Sequence, residues 1–492
     1  MNVLLSLLQK SPDYMQLLQA VEAKQAAAVS GLSQAPRSHV LAALHEHSGR
    51  PLVAVCQDDL AASRLASELG AFLGEQPPVL PSRELTLAGA IGVSRQWEQK
   101  RLRLLYALAQ GQVPVLVTSL DALLLRTMPR EVLFSASVRL RCGAEYNVDD
   151  LVARLTRAGY TRASLVEGVG QFALRGGILD VYSPACENPL RAEFFGDELD
   201  TMGYFDPITQ RRTENVEEAV LLPVAETEAH LHPQGTAGLC EDLRAIIARQ
   251  QRRKTPNQAL IGTLQKDCEA LENETLFASA DRYMALIYPE FTTAAAYLSQ
   301  EAVVAFCDHG NLQRAEKEKA EEFGLLLDSF LTSGTLFGEL CDYYGSIEDL
   351  AAQLRGRAVV YCDGFLAARY PESLPPKKLL SFTARQLPGY GGSLETAASD
   401  LKNYAANQYG SIVLCGGQRR GEILKDLLAQ NGLNALLAFP LTKLPQPGQI
   451  LLAPGSLPAG LEYPTLKFAI LTEGQIAVRQ ERKKTRAPKK AT

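Results

Sequence analysis

The sequence predicts a multidomain α/β protein, built from parallel-sheet units with a small hairpin-rich α+β unit inserted between them. Three observations carry that expectation. The chain has 492 residues, 46% hydrophobic and 21% charged, a globular composition too long for one core. Short apolar runs, LVAVC at 52–56 and VPVLVTS at 113–119, are separated by stretches of helical period, as in a mostly parallel sheet. From about residue 139 to 222 the texture changes to period-two alternation, punctuated by Gly-Gly and Gly-Asp.

The first element, MNVLLSLLQKSPDYMQLLQAVEAKQ, has no charged n-region and no small-residue cleavage site, so it reads as an amphipathic helix rather than a signal peptide. After LVAVC, residues Ala61, Leu65, Leu69 and Phe72 fall on one helical face. Leu102, Leu105, Tyr106 and Ala109 mark the next helix, which Gly111 stops. The spacing Thr118-x-x-Asp121 opens another as a capping box. Helices dominate from about 236 to 350, interrupted by the strand VVAF at 303–306. A further α/β unit follows GYGGS (389–393), with strands SIVLCGG, QILLAPG and LKFAILTE.

Composition excludes several classes of function. No apolar run reaches about 18 residues, so no membrane span is expected. Nine scattered cysteines without a CxxC argue for reduced thiols in a cytosolic protein, and no His or Cys pair has the partners a metal needs. Net charge is −5, but six basic residues between Arg482 and Lys490 conceal a more acidic body. Such a body is a poor DNA surface, because phosphate neutralisation needs clustered Lys and Arg. The basic tail reads as a solvated linker.

The stretch GLSQAPRSHV (31–40) has the frame of a phosphate loop, with Gly31 and Ser38 in place. Pro36 stands where the second glycine belongs and Arg37 where the lysine belongs. Proline removes an N–H from the cradle, and arginine replaces a compact ammonium by a planar fork. The strand best suited to hold magnesium ends in Asp308-His309, without the Glu that hydrolysis needs. DELD at 197–200 follows a hairpin turn and is no substitute. From the residues alone, a nucleotide site that was lost and a chance echo in an ordinary loop both stay open, and no catalytic group is identified.

In the hairpin-rich stretch Arg175 precedes Gly176-Gly177, and Arg191 opens a strand ending in Phe194-Phe195. Strand alternation puts those two phenylalanines on opposite faces. An exposed aromatic beside arginines is the composition of a protein-binding hot spot. From the residues alone, a core role for both phenylalanines and solvated arginines is an equal alternative.

GVGQFALRGGILDVYSP and LRAEFFGDELDTMGYFDPITQRR closely resemble the second domain shared by the excision-repair helicase UvrB and the transcription-repair coupling factors (Mfd). LVAVCQDDLAASRLASEL, SRQWEQKRLRLLYALAQGQVPVLVTSLDALL and the final unit through ILTEGQI extend the resemblance to essentially the whole chain. It implies degenerate RecA/helicase-like parallel-sheet domains: 1–138 like UvrB domain 1a, 139–222 like UvrB domain 2, 223–388 like domain 1b, 389–478 a third α/β domain, and 479–492 a basic linker.

The resemblance further implies that Arg175, Arg191 and Phe195 bind UvrA, the damage-recognition ATPase. The chain would then be an adaptor for nucleotide excision repair, bacterial and cytoplasmic, without a cofactor of its own. In the family, RNA polymerase and double-stranded DNA are engaged by further domains, among them a motor that uses ATP and Mg. Motifs for those domains do not occur in these 492 residues. The alternative expectation is an ATP-binding, helicase-like enzyme acting through a non-standard site.

Overall fold

A computed structural model describes residues 3–88, 96–273, 277, 280–390 and 393–476. The basic tail expected over 479–492 and the middle of the GYGGS turn lie outside the described residues. Among the described residues, no helix is long and apolar enough to cross a membrane.

The chain first lays down β1 (Ala26–Ser30), β2 (Leu52–Cys56), β3 (Val79–Leu80) and β4 (Val115–Ser119). The helix Asp59–Leu73 follows β2 and buries Leu65, Leu69 and Phe72 with Ala62 and Ala66. Its N-cap is Asp58, whose carboxylate accepts from Ala61 N at 2.7 Å and satisfies a first-turn donor. The short helix after β4 is capped by Ser119 rather than Thr118, because the Ser119 hydroxyl reaches Ala122 N while that of Thr118 turns back to Leu80 O.

The inserted unit is entered and left through a two-stranded antiparallel ribbon, β5 (Val138–Arg141) against β12 (Glu218–Leu221). Between them lie β6 (Thr161–Arg162), β7 (Gln171–Arg175), β8 (Ile178–Val181), β9 (Leu190–Phe195), β10 (Glu198–Phe205) and β11 (Arg212–Asn215), which form a sheet in the order β11-β10-β9-β8-β7-β6. One face is apolar: Phe172, Leu179, Val181, Leu190, Ala192, Leu199 and Met202 are buried against Leu151 and Leu155 of the helix Val148–Arg157. The period-two pattern forces the alternate residues onto the opposite face.

The chain then returns to the first sheet with β13 (Val303–Cys307), β14 (Ala358–Cys362) and β15 (Lys378–Ser381). The completed seven-stranded sheet has the order β15-β1-β14-β13-β2-β4-β3 and is parallel throughout. Residues 1–138 and 223–388 therefore supply strands to one continuous sheet. Both faces are covered, which explains why its strands read as unbroken apolar runs. Val53, Val55, Phe306 and Tyr361 pack on the helices of the 223–350 stretch. Ala54, Val117, Ala305 and Val360 pack under the helices that precede and follow β2.

The last unit holds β16 (Arg385–Gln386), β17 (Gly410–Cys415), β18 (Ala435–Leu437), β19 (Ile450–Pro454), β20 (Leu461–Tyr463) and β21 (Phe468–Thr472), in the order β16-β20-β21-β17-β19-β18. One of its faces joins the core of the first unit through Leu414, Leu451, Phe468 and Ile470. His39 sits in that junction, fully buried, between Tyr463 Oη at 2.9 Å and Leu4 O at 3.0 Å.

A buried polar network fixes the exit of the inserted unit. Arg101, with no exposed surface, donates Nε to Glu226 at 2.9 and 3.2 Å, and its Nη atoms to Pro81 O and Ala122 O. Thr127 also donates to Glu226, and Arg83 pairs with Asp281 beside it. Burial alone would raise Asp281, but the adjacent Arg83 guanidinium outweighs it and holds the carboxyl below its usual range.

Candidate protein-binding surface

The phosphate-loop frame is closed by the protein itself. β1 is followed by Gly31, whose φ of 81° suits glycine and where a Cβ would run into the Phe382 carbonyl oxygen. The helix Gln34–Ser48 starts ahead of Pro36, so Pro36, Arg37 and Ser38 lie in its first turns and no open loop precedes them. Gly31 N donates to Gly364 O at 3.0 Å, Leu32 N to Asp363 O at 3.1 Å, and Ala35 N to Gln386 Oε1 at 3.3 Å. Arg37 turns back to Leu32 O, and the buried Ser38 hydroxyl donates to Ala35 O at 2.9 Å. Three N–H groups along the loop, those of Gly31, Leu32 and Ala35, are thus already bonded to main-chain and side-chain oxygens.

Asp308 and His309 follow β13 but face no open site. Asp308, at φ 67°, is the N-cap of the helix His309–Thr332 and accepts from the Asn311 side chain at 2.9 Å. His309 is fully buried among Phe306, Tyr361 and Tyr370, and burial pushes its imidazole below the usual range. The nearest other carboxylate, Asp363, is also buried and accepts from His309 N and the Tyr370 hydroxyl. An open cleft of ≈1060 Å³ does lie beyond the C-terminal ends of β2 and β4. Its walls carry both signs of charge, Asp58 and Asp121 with Arg314 and Lys319, which does not suit a polyanion.

The outer face of the inserted sheet is different. Arg175 closes β7 and Arg191 is the second residue of β9, and the cross-strand register sets Asp180 of β8 opposite Arg191. Arg191 holds Asp180 through Nε at 2.7 Å and Nη2 at 2.9 Å, and Arg175 adds a bond to Oδ2 at 2.7 Å. Two guanidiniums thus share one carboxylate, so the clasp itself carries a surplus positive charge. Arg191 also stacks on the Phe205 ring at 4.5 Å and donates to Gln210 Oε1 at 3.2 Å. Its hydrogen bond to Asp180 holds the guanidinium above its ordinary range.

Phe194 and Phe195 separate as alternation requires. Phe194 packs toward the core of the unit, and Phe195 is 84% exposed at the tip of the β9–β10 hairpin. The structure therefore brings Arg175, Arg191 and Phe195 to one solvent-facing surface, and keeps Gly31, Pro36, Arg37, Ser38, Asp308 and His309 together at the C-terminal edge of the parallel sheet, away from it. Reading the sequence alone missed Asp180. Its signal was a lone carboxylate between Leu179 and Val181, visible only once β8 is set in register with β9.

Residues 138–226 match the UvrB interaction domain family. Over 499 residues the chain is 23% identical to a transcription-repair-coupling factor of Bacillus subtilis (strain 168), an alignment covering 99% of this chain and 41% of that protein. It is 25% identical over 498 residues to those of Staphylococcus aureus strains USA300 and MRSA252, with the same coverage. The chain spans about two-fifths of the length of these relatives. Nearly the whole chain is thus similar to about two-fifths of the transcription-repair-coupling factors, and its inserted unit matches the UvrB interaction domain.

Proposed function

We propose that this chain is an adaptor whose inserted sheet binds UvrA and so brings excision repair to stalled RNA polymerase. The observation that carries the proposal is the Arg175–Asp180–Arg191 clasp beside the exposed Phe195. Paired guanidiniums recognise carboxylates bidentately, and an exposed aromatic gains most by entering a partner's pocket. RNA polymerase and double-stranded DNA would be engaged through regions of the longer relatives that the alignment does not cover, where ATP and Mg would also act. No ATPase role is assigned to this chain, because the closed loop at Gly31–Ser38 leaves a triphosphate no cradle.

The test is titration calorimetry with UvrA, comparing the native chain with an Arg175→Glu, Arg191→Glu double variant. Binding by the native chain that is lost in a variant with unchanged circular dichroism is the expected result. Equal binding by both chains, or none by either, overturns the proposal.

A further inference from the structure

We infer that Ile208 is a second apolar anchor of the same surface, so that the partner must offer two apolar pockets flanking an acidic strip. This rests on the UvrA-binding reading above. Ile208 is 90% exposed, in the turn between β10 and β11. A single exposed isoleucine is ordinary on a protein surface. What sets Ile208 apart is how it is held and where.

The turn is fastened from several sides. Asp206 Oδ1 accepts from Ile208 N at 3.0 Å and Thr209 N at 2.6 Å. Gln210 N donates to Asp206 O at 2.8 Å, Asp206 N to Arg211 O at 2.9 Å, and Gln210 Nε2 to Pro207 O at 2.7 Å. Gln210 adopts a φ of 59°, a conformation that costs a non-glycine residue energy and persists only where such bonds hold it. An anchor fixed in advance loses little conformational freedom on binding.

The turn also folds onto the face that carries the arginines. Gly203 pairs with Arg191, so Phe205, two residues on, lies on the same side. Phe205 is fully buried there, under the Arg191 guanidinium, and the Gln210 side chain reaches Arg191 from the turn. Ile208 and Phe195 consequently stand at opposite ends of β9, with Arg191 near one end and Arg175 between. Four residues of strand separate Arg191 from Phe195, about 13 Å at the usual rise. Glu193, on the same face between Arg191 and Phe195, is paired with Arg212, so the clasp's surplus positive charge remains between the two apolar ends and suits a partner with carboxylates at the middle.

The experiment titrates UvrA into the native chain and into Ile208→Asp, Ile208→Leu and Arg175→Glu variants, each checked for an unchanged unfolding midpoint. A charge placed where an isoleucine becomes desolvated is expected to weaken binding at least about tenfold, with the leucine variant near native. If Arg175→Glu abolishes binding while Ile208→Asp binds like the native chain, the second anchor is rejected and the adaptor reading stands. If the native chain does not bind UvrA, both fall together.

Discussion

Asp180 holds Arg191 with both carboxylate oxygens, at 2.7 and 2.9 Å, but gives Arg175 a single bond at 2.7 Å. The Arg191 side chain is 20% exposed and that of Arg175 is 50% exposed, whereas the Asp180 carboxylate is 1% exposed. Arg191 is thus part of the sheet's own structure, and Arg175 is free to swing to a partner. Arg175→Ala is expected to weaken UvrA binding with stability changed by less than about 0.5 kcal/mol. Arg191→Ala should cost about 2 kcal/mol as well, because it leaves most of a buried carboxylate unpaired. Urea unfolding of the two variants distinguishes these outcomes, and equal losses would contradict the asymmetry.

The Arg101–Glu226 pair is the buried fastening at the exit of the inserted unit. Arg101→Met fills a similar volume but strands the Glu226 charge, with Thr127 and the more distant Arg83 as its remaining partners. A loss of about 3 kcal/mol is expected, at the lower end for a broken buried pair because Arg83 remains. Replacing both residues, Arg101→Met with Glu226→Gln, should recover part of it. A double variant less stable than Arg101→Met alone would show that the pair is not what holds this junction.

Burial pushes the His39 imidazole down to about 4, against the bond to Leu4 O that favours the charged form. The unfolded chain has a histidine near about 6.5, so between these values it is the unfolded state that takes up the proton. Stability contributed by neutral His39 is complete above about pH 6.5 and is lost as pH falls toward 4, by up to about 3 kcal/mol. His47 and His309, also lowered by burial, add in the same direction. Denaturation midpoints measured from pH 7.5 to 4.5 should fall, and a His39→Phe variant should show a flatter slope. An unaltered slope in that variant removes His39 from the account.

Millimolar ATP with Mg should leave the melting temperature of the chain unchanged, since a ligand that binds only the folded state must raise it. The same null shift is expected for a Pro36→Gly, Arg37→Lys variant. Restoring the motif does not free Gly31 N, Leu32 N or Ala35 N from their oxygen partners. A rise in melting temperature for the native chain would revive a nucleotide role, and one confined to the variant would mean that the plug yields easily.

The buried strands were legible because LVAVC, VPVLVTS and VVAF are short apolar runs without alternation, set between stretches of helical period, as strands covered on both faces are. The separation of Phe194 from Phe195 was legible for the complementary reason, a period of two. The loop at Gly31 was half legible. Its missing glycine and lysine could be read directly, but not that Gln386, from a strand far along the chain, occupies an N–H of the cradle. Asp180 and Gln210 escaped notice because their importance lies in cross-strand geometry, and neither belongs to a local motif. Arg101 misleads in the opposite direction. It looks like one more charge on an amphipathic helix, yet it is wholly buried because Glu226 waits for it across the fold.

The order of strands in the seven-stranded sheet has a consequence for the nascent chain. β1 lies between β14 and β15, and β2 meets β13 on the edge away from β4. While a ribosome is still making residues up to β13, β1 has no sheet neighbour and LVAVC presents a bare apolar edge. The inserted sheet needs nothing beyond β12 to close, so it can fold first and stand ready on the emerging polypeptide. The parallel sheet must meanwhile be kept from pairing with other chains, which makes its first three strands the segment most in need of a chaperone during synthesis.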